Sequence, residues 1–163
     1  MTSSQGSAPA GDRELRAQAL VRATPNRVWQ VLTDLRRMPE WSPELVRMVP
    51  LKRGGLRIGQ WYLGINRRRA VVWPTRNVVS ELEPGRTVAW DTRTSGARWI
   101  YHLEPEGEGT RLSLTRPVPE GSPLVARVFA GAFLGGIESH DGELEKDMVA
   151  TLERIRSAVE GVA

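Results

Sequence analysis

The last quarter of the chain, from about Ser122 to Glu160, repeats apolar residues at the spacing of one helical face. The repeated positions are Val128, Leu134, Ile137, Leu144, Met148, Leu152, Ile155 and Val159. Charged residues such as Glu145, Lys146 and Arg154 occupy the other face, which is typical of a helix that covers an apolar layer. The pattern predicts a long helix that either bends at Gly135-Gly136 or is divided there into two helices.

Most of the chain before this helix alternates apolar and polar residues with a period of two, which predicts β-strands. The seven expected strands are 14–23, 45–53, 56–66, 70–83, 87–94, 97–104 and 110–117. In the third strand we expect Trp61, Leu63 and Ile65 to share one face. In the sixth we expect Trp99, Tyr101 and Leu103 to do so. Pro74 indicates an edge position or a bulge in the fourth strand, because proline cannot donate to a ladder.

Two short helices are expected between the first and second strands. Thr24 can cap a helix that begins at Pro25 and runs to about Leu35. Pro39 and Pro43 then restrict the following segment to a short helical turn or bend. One strand, two short helices, six strands and a final helix predict an α+β fold. In this fold an antiparallel sheet is curled around the C-terminal helix.

Composition places limits on the class of protein. A length of 163 residues predicts a flexible N-terminal tail, residues 1–12, and a single domain, residues 13–163. No apolar run approaches the roughly 20 residues that span a bilayer, and the start of the chain lacks the pattern of a signal peptide. Without cysteine, the chain cannot form disulfides or thiolate metal sites. We therefore expect a cytoplasmic protein.

The net charge is +4, and the densest basic run is Arg67-Arg68-Arg69. This run falls between two predicted strands, where solvated turn charges are common. No recognition helix or zinc-ligand spacing accompanies it, so nucleic-acid binding is not predicted. A regulatory interaction module that uses this turn is retained as a third hypothesis.

Several segments resemble one family. They are Thr24 to Asp34, Met38 to Glu44, Gly64 to Arg67, His140-Asp141, and Met148 with Thr151-Leu152 and Ile155. Over residues 14–160 the chain resembles the polyketide cyclase/dehydrase-like (SRPBCC) branch of the START and Bet v 1-like superfamily. The resemblance implies a helix-grip fold, a seven-stranded antiparallel sheet around the C-terminal helix, with an apolar cavity for lipids or polyketides. Members include aromatase/cyclases and lipid carriers, so the fold alone does not select a function.

Aromatic and polar side chains near the predicted cavity are the candidate ligand contacts. The predicted ligand-binding residues are Trp41, Trp61, Trp73, Trp90, Trp99, Tyr101, Ile137, His140 and Leu144. For each tryptophan the alternative is ordinary core packing. His140 and Asp141 interrupt the apolar helical stripe and are, with Tyr101, candidates for proton transfer. Capping or core hydrogen bonding is the alternative role for the His140-Asp141 pair.

No conventional catalytic signature occurs in the sequence, and two distant histidines without cysteine do not predict a metal site. No cofactor is expected. The leading hypothesis is a binder of a small hydrophobic molecule, lipid or polyketide-like, between sheet and C-terminal helix. The alternative is a polyketide-type aromatase/cyclase or dehydratase. The sequence leaves open whether the protein is a monomer or a homodimer.

Overall fold

The computed structural model describes residues 14–117 and 137–161, and side chains for 14–117 and 142–161. Its elements are β1 (Glu14–Val21), α1 (Pro25–Leu32), a 3₁₀ helix (Leu35–Glu40), β2 (Leu45–Pro50), β3 (Trp61–Arg68), β4 (Val71–Glu83), β5 (Thr87–Thr92), β6 (Ala97–Glu106), β7 (Gly109–Pro117) and α2 (Ile137–Glu160). This order confirms the predicted fold class. The expected tail, residues 1–12, and the expected helical segment 122–136 with Gly135-Gly136 lie outside the described residues.

The seven strands form one antiparallel sheet in the order β1-β7-β6-β5-β4-β3-β2. Directly opposite residues of neighbouring antiparallel strands share a face, so the register identifies the two faces of the sheet. In β1, buried and exposed residues alternate strictly, and Leu15, Ala17, Ala19 and Val21 are the buried ones. Their face continues across Leu112 and Leu114 of β7. We call it the inner face.

Helix α2 packs on the inner face through the stripe that its sequence predicts. Met148, Leu152, Ile155 and Val159 are buried in the core, and the helix lies against β1, with α1 beside it. Near its C-terminus, Glu160 Oε1 accepts a hydrogen bond from the Arg22 N–H at 2.8 Å. Because β1 forms one edge of the sheet, this contact holds the end of α2 at that edge.

The helix α1 begins as its sequence predicts. Thr24 has an extended backbone, and its Oγ1 accepts a hydrogen bond from the Arg27 N–H at 3.4 Å, while Pro25 occupies the first turn. The helix ends at Leu32, earlier than the expected Leu35, which instead begins the 3₁₀ helix. Leu35 and Met38 are the buried residues of the 3₁₀ helix, so they fix it to the core.

Three expectations about the strands need correction. β4 pairs with β3 on one side and β5 on the other, so it is not an edge strand. Its bulge lies between Val79 and Glu81, away from Pro74. Pro74 is accommodated because pairing with β5 begins only at Asn77, and the Pro74 end of β4 pairs with β3 alone. β2 ends at Pro50 and β3 begins at Trp61, which leaves a longer connection than expected, the 51–60 loop.

Within residues 14–117 and 137–161, no helix has the length and apolar character needed to cross a membrane. The same residues contain no group of three or more His, Cys, Asp or Glu side chains positioned to hold a metal ion.

Candidate functional site

The inner face of β5 and β6 carries aromatic side chains, because the register places three of them together. Trp90 lies opposite Trp99, and Tyr101 lies opposite Val88, so all four belong to one face. The rings of Trp90 and Tyr101 stack with their centroids 5.2 Å apart and an angle of 28° between the planes. The guanidinium of Arg116 lies 5.0 Å from the centre of the Trp99 ring, a cation–π distance. We call Trp90, Trp99 and Tyr101 the aromatic wall.

The wall also carries a phenolic hydroxyl, that of Tyr101. Tyr101 is only 3% exposed, and its hydroxyl makes no hydrogen bond to any described residue. Burial raises the pKa of the Tyr101 phenol well above its ordinary value. The phenol is therefore protonated at neutral pH, and can donate a hydrogen bond but cannot act as a base.

Four polar side chains of the inner face form a hydrogen-bonded row across β3, β4 and β5, which we call the polar ladder: Asn66, Thr75, Asn77 and Thr92. The Thr92 hydroxyl donates to Asn77 Oδ1 at 2.8 Å. Asn77 Nδ2 and Asn66 Nδ2 donate to Thr75 Oγ1 at 3.2 and 3.0 Å. Asn77 and Thr92 are buried, so these bonds satisfy groups that would otherwise be costly to remove from water.

The polar ladder retains hydrogen-bonding capacity at its β3 end. Thr75 Oγ1 accepts two hydrogen bonds, but no described residue accepts the proton of its hydroxyl. The oxygen Asn66 Oδ1 is likewise without a donor among the described residues. Asn66 and Thr75 are only half-buried. The ladder can therefore offer both a donor and an acceptor to a molecule on the inner face.

The aromatic wall and the polar ladder are adjacent. Thr92 follows Trp90 by two residues on the same face of β5. Trp73, which is partly exposed, lies opposite Asn66 and also belongs to the inner face. The inner face thus combines large flat rings with a short row of polar groups. This is the usual composition of a site that holds a mostly apolar molecule in one orientation.

The register corrects the expectation for Trp61. Trp61 lies opposite Val78, whereas its neighbour Tyr62 lies opposite Asn77 of the polar ladder. Trp61 therefore belongs to the outer face with Leu63 and Ile65, and cannot line the space between the sheet and α2.

The other predicted residues have different surroundings. Trp41 is fully buried in the core, with Arg37 5.8 Å from its ring centre, and its indole N–H has no partner among the described residues. Leu144 is half-buried and packs on the core. Ile137, His140 and Asp141 belong to α2, but their side chains lie outside the described part of the chain. Their proposed roles stay predictions.

Sequence reasoning missed the polar ladder and Tyr62. The apolar residues Trp61, Leu63 and Ile65 suggested the wrong inward set for β3, because the inner residues are Tyr62, Gly64 and Asn66. One signal pointed to the correct face. Gly64 lies in the middle of a strand, which indicates close approach of another group. A Cβ on Gly64 would lie 2.6 Å from Thr75 Oγ1 and 3.2 Å from Asn77 Nδ2.

The seven-stranded sheet with α2 across its inner face defines a helix-grip protein. Solved structures share this fold. The polyketide-cyclase-like protein Cgl2372 from Corynebacterium glutamicum is 24% identical, with a TM-score of 0.63 and coverage of 93% of each chain. The Zhui aromatase/cyclase from Streptomyces sp. R1128 is 20% identical, with a TM-score of 0.63, over 91% of this chain and 94% of that one.

The protein Ara h 8.0201 has the same fold at 11% identity, with a TM-score of 0.65 over 93% of this chain and 99% of that chain. At these identities the likenesses concern the fold. No curated protein matches the chain. The family model for polyketide cyclase/dehydrase and lipid transport matches residues 12–160. The chain therefore belongs to that family, which confirms the resemblance seen in its sequence.

Proposed function

We propose that this protein binds a small, mostly hydrophobic molecule, lipid or polyketide-like, between the inner face of the sheet and α2. The observation that carries the proposal is the spare hydrogen-bonding capacity of the polar ladder beside the aromatic wall. Asn66 and Thr75 are half-buried beside apolar rings, so a ligand that covers them must satisfy groups that would each cost about 1–3 kcal/mol if they were buried without a partner. The family to which the chain belongs includes lipid transport in its description, which supports a ligand of this kind.

Each part of the inner face has a separate role in this proposal. The rings of Trp90 and Trp99 offer flat apolar surface, which contributes about 25 cal/mol per Å² of apolar area buried. Thr75 and Asn66 bind the polar group of the ligand and so fix its orientation. A ligand that lacks this group leaves the ladder unpaired, which corresponds to about 5- to 150-fold weaker binding.

The test is a titration with a panel of fatty acids and hydroxylated anthraquinones, followed by quenching of tryptophan fluorescence. We expect saturable quenching by at least one member. Replacing Thr75 with Val preserves the shape of the side chain and removes the hydroxyl, so T75V should bind that ligand about 5- to 100-fold more weakly. Circular dichroism shows whether T75V retains the fold.

Trp61→Phe is the matched control, because Trp61 lies on the outer face. W61F should keep the affinity of the native protein within about twofold, since an outer-face ring makes no contact with the ligand. Absence of saturable quenching by every member of the panel contradicts the proposal. Equal affinity of T75V and the native protein removes the polar ladder from the site.

A second candidate function is a cyclase or dehydratase reaction on a polyketide-like substrate. It is favoured by the hydroxyl of Tyr101, a donor without a partner among the described residues, which can polarise a substrate carbonyl. The Zhui protein is an aromatase/cyclase. Incubation with a linear poly-β-ketone thioester separates the two functions, because only an enzyme converts it to a cyclic product faster than the spontaneous reaction.

A further inference from the structure

A second concave feature lies where the beginning of the 3₁₀ helix faces the 51–60 loop. It is a cleft of about 670 Å³, and its lining includes Asp34, Arg36, Lys52, Arg53 and Tyr62. None of these five residues belongs to the aromatic wall or the polar ladder. We call this feature the loop cleft.

The loop cleft carries an excess of positive charge. Arg36, Lys52 and Arg53 are exposed cations, and none of them forms an ion pair with another residue of the described part. Among the described residues that line the cleft, Asp34 is the single acidic one. The three cations and Asp34 together therefore present a net charge of about +2 to a molecule in the cleft.

Hydrogen bonds to the backbone fix the 51–60 loop on which two of these cations lie. Gln60 Nε2 donates to the Lys52 carbonyl at 2.6 Å, and the guanidinium Nη1 of Arg57 donates to the Arg53 carbonyl at 3.0 Å. Gln60 is fully buried. The backbone that carries Lys52 and Arg53 is therefore held in place before any ligand arrives, which lowers the entropy cost of binding.

Tyr62 gives the loop cleft a hydrogen-bond donor. The residue as a whole is 7% exposed, and its hydroxyl has no hydrogen-bond partner among the described residues. Burial raises the pKa of the Tyr62 phenol, and the positive charges of Arg57 and Arg36 partly offset this rise. Arg36 and Tyr62 both line the cleft, and the Tyr62 phenol keeps its proton at neutral pH and can donate it in a hydrogen bond.

We propose that the loop cleft binds an anionic group, a phosphate or a carboxylate, which Arg36, Lys52 and Arg53 neutralise and to which the Tyr62 hydroxyl donates a hydrogen bond. Charge-assisted hydrogen bonds of this kind are stronger than those between neutral groups. Tyr62 lies opposite Asn77 of the polar ladder, so the loop cleft adjoins the inner face. A ligand with an apolar body and an acidic end would place its body on the inner face and its acid in the cleft. That placement of the body rests on the proposed function, whereas binding of the anion does not.

The first arm of the test uses inorganic pyrophosphate as a probe of the loop cleft alone. Amide resonances of Gly54, Gly55 and Leu56 in ¹H–¹⁵N spectra should shift and saturate at constant ionic strength. The double variant R36Q/R53Q should bind pyrophosphate at least 10-fold more weakly. The matched control R67Q/R69Q removes the same charge at the opposite end of β3 and should bind within about twofold of the native protein.

The second arm compares dodecanoate with dodecanol by calorimetry. We expect the native protein to bind dodecanoate at least 10-fold more tightly, and R36Q/R53Q to lose this preference while R67Q/R69Q retains it. Shifts with pyrophosphate alone indicate a free phosphate as the source of the anion. A preference for dodecanoate that depends on the cleft indicates a lipid acid. Either result supports the anion site.

Two outcomes overturn the inference. In the first, pyrophosphate causes no shifts in the loop cleft, and dodecanoate and dodecanol bind equally, which leaves the proposed function intact. In the second, both double variants weaken binding to the same extent, which shows attraction by net charge without a site. Conversely, saturable pyrophosphate binding in the cleft without binding of either lipid supports the anion site and contradicts the proposed binding of these lipids on the inner face.

Discussion

Gly64 shows how a single residue determines what the inner face can hold. It lies between Met48 of β2 and Thr75 of β4, on the face that carries the polar ladder. A methyl group at Gly64 would approach Thr75 Oγ1 to 2.6 Å, which is closer than real Cβ contacts. The missing side chain therefore provides the space in which Asn77 and Thr75 meet.

We expect Gly64→Ala to lower the free energy of unfolding by about 1–3 kcal/mol, the usual cost of overpacking a well-packed site. This cost exceeds the gain of up to about 1 kcal/mol from replacing glycine with alanine within a regular element. The control is Gly142→Ala, on an exposed position of α2 where an added Cβ meets no atom within 4 Å. Urea unfolding should show G142A to be more stable by about 0.5–1 kcal/mol. A G64A variant as stable as the native protein contradicts the close packing of Gly64.

At the scale of one element, the spacing of apolar residues in α2 predicts which of its side chains are buried. Its apolar stripe was predicted from spacing alone, and Met148, Leu152, Ile155 and Val159 are each at most 6% exposed. The opposite face carries exposed residues such as Val149, at 50%. A helix of this kind gains most of its stability from packing its stripe, because propensity alone leaves isolated helices marginal in water.

Ile155→Ala should lower the free energy of unfolding by about 2–5 kcal/mol, because Ile155 is fully buried and its truncation leaves a cavity. Val149→Ala removes two methyl groups from an exposed site of the same helix. It should change the stability by no more than about 0.5 kcal/mol. Chemical denaturation of both variants, read by circular dichroism, makes the comparison. Equal effects of the two substitutions would contradict the assigned orientation of α2.

At the scale of the whole molecule, polar contacts join α2 to distant parts of the chain near its C-terminus and at Glu143. Near β1, Glu160 accepts from the Arg22 N–H. At the far end of β3, Arg68 Nη2 donates to Glu143 Oε2 at 2.7 Å, and Arg68 Nη1 lies 3.6 Å from Glu44 Oε1. Burial raises the pKa of the half-buried Glu44 carboxyl, Arg68 opposes this rise, and the negative charges of Asp147 and Glu143 add to it. Ionised Glu44 is therefore less favourable in the folded protein than in the unfolded chain.

This raised pKa gives a pH dependence of stability with a definite sign. The folded state holds the Glu44 proton more tightly than the unfolded chain does. The protonated carboxyl therefore contributes stability that is fully present below the unfolded pKa of about 4.5, and this stability is lost as pH rises through the folded pKa. Relative to the native protein, Glu44→Gln should therefore gain stability between pH 3 and pH 7. The gain should stay below about 1 kcal/mol, because both partners of the Arg68 pair are over a third exposed.

Glu40→Gln is the control of opposite sign. Its hydrogen bond with Arg37 lowers the pKa of the Glu40 carboxyl. E40Q should therefore lose stability relative to the native protein over the same pH range. Thermal unfolding of the three proteins at pH 3 and pH 7 measures both differences. If E44Q loses stability relative to the native protein as pH rises, the assignment for Glu44 is wrong.

Much of the aromatic wall could be predicted from the sequence, because Trp99, Tyr101 and Leu103 recur at every second position of β6 and therefore share one face. The loop cleft could not be predicted in the same way. Arg36 and Arg53 come from different elements, and only the folded chain brings them to the same cleft. The hydrophobic pattern of one segment gives no information about which residues of another segment lie close to it.

The sequence by itself determined the order of the elements, the α+β class and the buried stripe of α2, because hydrophobic period and capping act between residues a few positions apart. Only the tertiary structure decided which face of β3 and β4 lies inward. Both faces of β3 carry residues that suit a core, Trp61 and Leu63 on one and Tyr62 on the other. The choice between them comes from strand register, which depends on hydrogen bonds and packing between distant parts of the chain.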